Sequence, residues 1–364
     1  MQGSTPLAEQ VSVLNNEKTA SGHFVAKPTS KTKIRTGILW GQDQNTLSNS
    51  FQTSYFNISQ PFEFRATDLA QNAPTILGAN LNISSEIDTK TNFSFYSDIL
   101  RRKTLQNYLS VANINTFNVA AETDLHSFDN QANWTHQIDS AKAIVLQIGF
   151  SERKNQEIWL LKASEPLQTP SSDFTQKPIK QNVDVHNQFF TFKSSFYGQK
   201  KYFKYAISIA QNQKYSNWKV GIENFSIDSS LNQNNIFSES HTNLFGNVSY
   251  QNKKWAFSSF AEVGIFKNDL ANYQNLIFQQ KNSLSKMVAW GNIEGFYSYT
   301  WSLPEFSEWA NTAFYTDYRF FVKGSGQFSP AQIHELRTAF NFQKPYHLPY
   351  ASFSLSYQLR QKGY

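Results

Sequence analysis

Residues 76–100 read ILGANLNISSEIDTKTNFSFYSDIL, and their apolar positions recur every second residue. In the first limb Leu77, Ala79, Leu81 and Ile83 alternate with Gly78, Asn80, Asn82 and Ser84. In the second, Phe93, Phe95 and Ile99 oppose Asn92, Ser94 and Asp98. A period of two gives a strand with one apolar and one polar face. DTKT between two such limbs predicts a hairpin. The same signal predicts strands over 33–41, 53–65, 76–86, 92–100, 107–119, 131–138, 142–150, 157–163 and 187–196. A second set covers 201–210, 217–225, 241–250, 254–265, 274–280, 286–301, 309–322, 331–342 and 350–359. Strands of globular proteins average about five to six residues, whereas an oblique bilayer crossing needs about nine to eleven. Many of these runs reach ten or more. The expected fold is therefore all-β, a transmembrane antiparallel up-and-down β-barrel of about 16 strands, within 14–18. The competing architecture is a soluble β-sandwich whose apolar faces form a core.

Composition separates the two. Aromatic residues make up 16% of the chain, with 32 Phe, 17 Tyr and 8 Trp. Yet the mean hydropathy is −0.51. A sheet with lipid on one side and water on the other combines both properties, because apolar residues occupy one position in two and aromatics gather at the membrane interfaces. Closing the sheet also satisfies every backbone group without water. No apolar run approaches the roughly 20 residues of a membrane-spanning helix. The absence of cysteine removes disulfides and thiolate chemistry. Residues 1–32 are polar and aperiodic, with no apolar core of a signal peptide, and read as a lead-in or linker with one short helix near residues 7–14. Residues 33–364 read as the barrel.

The net charge of +6 changes the picture only through its placement. On the faces expected to line the lumen lie Lys204, Lys219, Arg319, Arg337 and Arg360, against Glu223, Glu262, Glu294, Asp317 and Glu335. The signs balance there. The surplus falls in RRK at 101–103, ERK at 152–154, QKK at 199–201 and NKK at 252–254, expected in loops and tails. A polar, nearly neutral lumen suits water, neutral solutes or a hydrated polymer better than a selective ion channel. No basic stripe interleaved with aromatics supports nucleic-acid binding. Segment 163–186 is long and carries Pro166, Pro170 and Pro178. With Glu165, Asp173 and Asp184 against Lys177 and Lys180, it is the expected constriction or mouth loop.

Catalytic and metal signals are weak. The local pairings His126–Ser127 and Ser240–His241, the latter beside Glu239, join neighbours that a strand points to opposite faces. They read as interface or loop histidines, so neither an enzyme nor a cofactor or metal site is expected.

Residues 33–364 resemble bacterial outer-membrane β-barrels, which commonly end in an aromatic residue, here Tyr364, read by their assembly machinery. Tyr364 departs from the odd parity of Phe353, Leu355, Tyr357 and Leu359, so either QKG breaks the register or the signal is absent. IRTGILWGQDQN, with Gly37, Trp40, Asp43 and Asn45, is similar to the opening of barrels that follow tetratricopeptide repeats in polysaccharide exporters and surface-lipoprotein assembly modifiers. The resemblance implies a bacterial outer-membrane location, with outer-membrane lipid, lipopolysaccharide and the barrel-assembly machinery as partners. It implies a passive conduit for export or secretion of a polymer or protein. The alternatives are a diffusion porin for neutral or weakly charged small solutes, and a non-transporting surface adhesin or receptor.

Overall fold

In the computed structural model the described residues are 12–15, 17–55, 62–112, 115–163, 167–168, 174–175, 178–223, 233–288, 291–304, 306–309, 313–317, 320–342 and 351–362. The alternation becomes one antiparallel sheet of 16 strand segments. Its first members are β1 (Ser12–Asn15), β2 (Lys18–Ala26), β3 (Thr32–Gln42), β4 (Asn45–Tyr55), β5 (Phe62–Glu86), β6 (Thr91–Ala112), β7 (Asn115–Asp139) and β8 (Lys142–Ala163). A two-residue ladder, β9 (Leu167–Gln168) with β10 (Phe174–Thr175), stands apart. The sheet continues with β11 (Ile179–Lys200), β12 (Phe203–Glu223), β13 (Gln233–Gln251), β14 (Trp255–Asn268), β15 (Tyr273–Val288) and β16 (Gly291–Ser302). A single helical turn α1 (Phe306–Trp309) and a small hairpin, β17 (Ala313–Asp317) with β18 (Phe320–Lys323), precede the last strands. Those are β19 (Ala331–Phe342) and β20 (Ala351–Lys362).

Two pairs of segments are collinear. β3 pairs with residues 75–85 of β5 and β4 with residues 62–72, while β2 and β1 line the other edges of β3 and β4. Fourteen chain passes therefore make the up-and-down sheet, within the expected range. Among the described residues no pairing joins β2 to β20, so the sheet is open along that seam.

The hairpin read at 76–100 is present, with Ile83 opposite Phe95 and Ala79 opposite Ile99. In its turn the Asp88 carboxylate accepts the Lys90 amide at 2.7 Å, and this holds Asp88 below the usual carboxylate range. The turn at Lys201 and Tyr202 is tighter, with Lys201 at a φ of 53°.

Strand length differs from the expectation. β6, β8 and β11 each run for 22 residues, so 142–150 and 157–163 are one strand, while the expected strand 107–119 divides between the end of β6, which also holds 92–100, and the start of β7. At about 3.3 Å per residue such a strand is roughly 70 Å long, and at a tilt of about 45° it rises roughly 50 Å. An apolar band is only about 25 Å tall. Each long strand therefore crosses the bilayer and projects beyond it. The clusters 101–103 and 152–154 lie within β6 and β8, and only 199–201 and 252–254 sit at turns. Likewise 18–26 joins the sheet ahead of the expected start at 33, and residues 12–14 of the expected helix are strand. Of the expected strand 309–322, Trp309 ends α1, and 313–317 and 320–322 belong to the small hairpin, outside the main sheet.

The registers fix one face for every strand. Ile99, Phe128, Phe150, Phe190, Ile207, Leu244, Val263 and Phe278 lie on the outward face, all with exposed or partly exposed side chains. The buried hydrophobics of the strands, from Ala70 to Ala339, lie on the inner face. An apolar wall open to the surroundings and held by an up-and-down antiparallel sheet is the architecture of outer-membrane β-barrels. It locates the chain in the outer membrane.

Candidate functional site: the inner wall and its mouth

The short connections 27–31, 87–90, 140–141, 201–202 and 252–254 lie at one end of the sheet, and the strand ends that flank 164–178, 224–232 and 303–330 at the other. Towards the short-turn end the inner face is polar. Lys204 lines a cavity of about 490 Å³ there with Lys90, Asn92 and Lys142. Glu294, Glu335 and Arg337 are brought together around another of about 540 Å³. Glu262 accepts a hydrogen bond from Asn243 Nδ2 at 2.7 Å. These five residues lie on the inner face, where the alternation placed them.

Lys219 and Glu223 do not. They share the outward parity of Ile207 and Ile209 on one unbroken strand, and the expectation that they line the lumen is corrected. The cause is an inversion of polarity along the strand. In the lower part of β12 Ile207 and Ile209 point outward and Ser208 inward; in the upper part Val220 and Ile222 point inward and Lys219 outward. β11 does the same, with Phe190 and Phe192 outward below, Val183 and Val185 inward above, and Lys180, Asp184 and His186 outward. The expected mouth loop 163–186 is thus shortened: residues 179–186 are strand, and Lys180 and Asp184 face outward. Asp317 lies on β17 of the small hairpin. Glu165, Asp173, Lys177 and Arg319 lie outside the described residues.

Ion pairs follow the inversion. On the outward wall of the projecting part, Arg101 grips Asp124 with two bonds of 3.2 and 2.8 Å, and His126 reaches the same carboxylate at 3.1 Å. Lys103 pairs with Glu122 at 2.6 Å, Glu152 holds Lys154 at 3.0 Å and His186 at 2.7 Å, and Lys180 holds Glu223 at 3.2 Å. On the inner wall Lys214 pairs with Glu239 at 2.9 Å, and Asn268, 0% exposed, donates to the other Glu239 oxygen at 3.0 Å.

At the long-connection end, part of another segment packs on the inner wall. From 303–330, Trp309 at 6% exposure packs edge-on to Phe237 at 2%, with ring centroids 6.1 Å apart. Phe328 stacks parallel to Phe266 at 6.1 Å, meets Tyr273 at 4.9 Å and abuts Trp309 at 5.3 Å. Phe237, Phe266 and Tyr273 belong to the inner wall of β13, β14 and β15. The Glu308 carbonyl accepts the Ser325 amide at 2.8 Å and ties the two ends of the segment together. Sequence reading missed this aromatic seat because it took Trp309 as the start of a strand over 309–322 and gave Phe328 no element. Lys214, Glu239, His241 and Asn243 were not read as inner-wall residues either, although Glu239, His241 and Asn243 share the alternation of Phe237 and Phe245. Ser240 and His241 indeed face opposite sides.

No family model and no curated protein matches the chain. Among solved structures it is similar to BauA, the ferric preacinetobactin receptor of Acinetobacter baumannii, at 8% identity and a TM-score of 0.44, over 98% of this chain and 62% of that one. It is also similar to the Pseudomonas putida toluene transporter TodX, at 10% identity and a TM-score of 0.31, over 81% of this chain and 84% of that one. The chain thus spans less than two thirds of the receptor's length. No tetratricopeptide-associated exporter family is shown.

Proposed function

We propose that the chain is an outer-membrane transport barrel for small polar solutes, in which segment 303–330 sets the width of the passage. The observation that carries this reading is the seating of Trp309 and Phe328 on Phe237, Phe266 and Tyr273 of the inner wall. Aromatic groups buried there occupy the bore, and an exported polymer or folded protein needs that bore clear. The inner charges, Lys204 and Arg337 against Glu262, Glu294 and Glu335, are of both signs and nearly cancel, which favours neutral or weakly charged solutes. The ion-paired outward wall above the apolar belt stands at the level of lipid head groups and meets lipopolysaccharide in this reading.

The test is single-channel conductance in planar bilayers. Replacing 306–328 by a short Gly-Ser linker raises conductance several-fold; the buried aromatic contacts are lost, but β13 to β16 keep their strand partners and the sheet stays folded. Trimming 169–173 leaves conductance unchanged. Equal conductance of the wild type and the 306–328 variant would sink the transport reading and favour a surface receptor or adhesin.

A further inference from the structure

Below the aromatic seat the inner wall holds polar atoms that the protein itself does not satisfy. Asn243 is 8% exposed and its Oδ1 has no hydrogen-bond partner; His241 Nε2 is buried in the same condition. Both face Glu262, whose side chain is 11% exposed and whose Oε1 lies 2.7 Å from Asn243 Nδ2 and 3.5 Å from His241 Nε2. Buried polar atoms in native proteins almost always have a partner.

Two adjacent strands build the arrangement. His241 and Asn243 alternate on β13, and β14 sets Gly264 opposite Asn243 with Glu262 two residues away. A Cβ at Gly264 would stand 2.9 Å from His241 Nε2 and 2.8 Å from the Thr242 carbonyl oxygen. The missing side chain leaves room for the imidazole.

Asn243 Oδ1 lacks a cation or a donor, and with the imidazole proton on Nδ1 the Nε2 lone pair of His241 lacks one too, since a carboxylate, an amide oxygen and an imidazole lone pair all accept. Distance decides between them. Two acceptors sharing one water at about 2.8 Å and a tetrahedral angle stand roughly 4.6 Å apart. Two ligands each about 2.05 Å from one ion stand roughly 3.3 Å apart. The observed 3.5 Å between Nε2 and Oε1 fits the ion. We propose that His241, Glu262 and Asn243 form an inner-wall site for a divalent transition-metal cation, the Asn243 amide turning to offer Oδ1. Which way that amide points is an assignment, so the turn needs no backbone change. Lys214 is already matched by Glu239, and Lys193 Nζ sits over the Phe245 ring at 5.0 Å, so neither lysine takes the Glu262 charge, and the ion would replace the direct 3.5 Å pair of His241 with Glu262. Imidazole with carboxylate selects zinc, copper or nickel over calcium or magnesium. Among the described residues no cluster of three His, Asp or Glu competes with it.

The experiment titrates the full chain, folded in detergent micelles, with Zn²⁺ by calorimetry and with Cu²⁺ by electron paramagnetic resonance. One saturable site is expected, with hyperfine coupling from a single imidazole nitrogen. His241→Ala abolishes it, and the isosteric Glu262→Gln weakens it at least tenfold. Gly264→Ala weakens it as well, while His126→Ala and His186→Ala on the outward wall leave it intact. A wild type that binds neither metal, or a Glu262→Gln variant that binds both as tightly as wild type, overturns the site. So does loss that follows His126 or His186. Binding in micelles is read without transport, so its failure is distinct from an unchanged conductance.

Discussion

From Phe203 to Ile209, β12 turns its large apolar residues outward and keeps Lys204 and Ser208 inside; from Trp218 to Ile222 it turns Trp218, Val220 and Ile222 inward and Lys219 outward. Two halves of one strand obey opposite rules, with no bulge between them. The lower half is built for lipid, where an exposed Ile207 costs nothing and an inner Ser208 bonds to Ser195 at 2.8 Å. The upper half is built as a water-soluble wall, with Val183, Val185 and Val220 packed inside and ion pairs outside. The crossover falls among Gln211, Gln213 and Tyr215 on β12, and at Gln188 and Glu152 on the neighbouring strands. That line marks the edge of the bilayer, because only there does the surrounding solvent change.

The comparison breaks most sharply at the buried aromatics. Phe237→Ala removes a ring from the upper inner wall and should cost about 3–5 kcal/mol in a urea unfolding titration of lipid-reconstituted protein. Phe190→Ala, on the lipid-facing half of β11, should cost far less, since acyl chains fill the gap. Equal losses would mean that the two halves share one environment.

A charge placed on the outward face sharpens the line itself. Ile209→Arg, in the belt, should destabilise by about 2–4 kcal/mol in the same titration. Asn217→Arg, eight residues along on the same face, should be close to neutral. A large effect at both positions would raise the bilayer edge above Tyr215.

The smallest effect tests the outward ion pairs. Asp124→Ala frees Arg101 and His126 together, yet exposed pairs contribute only about 0.2–1 kcal/mol. The loss should fade as salt rises from low to physiological strength. A salt-independent loss above that range would show that the wall is desolvated there.

Period-two alternation determined the class of fold, the hairpin at 76–100 and the inner position of Lys204, Glu262, Glu294, Glu335 and Arg337, because side-chain alternation along a strand is a local rule. Alternation alone does not say which face is inside. Around Lys219 and Glu223 the apolar residues remain one in two but change parity, from Ile207 and Ile209 to Val220 and Ile222. The reading that apolar means outward failed there, since the sign depends on whether lipid or water surrounds that height of the strand. Nor did alternation find the mouth. The prolines of 163–186 pointed to a loop, but the aromatic seat joins Trp309 to Phe237 and Phe328 to Phe266 and Tyr273, partners 55 to 72 residues earlier in the chain. Only pairing of the strands brings those residues together. Local pattern specifies each strand's two faces; the tertiary structure, by stacking the strands across two solvents, assigns each face its side.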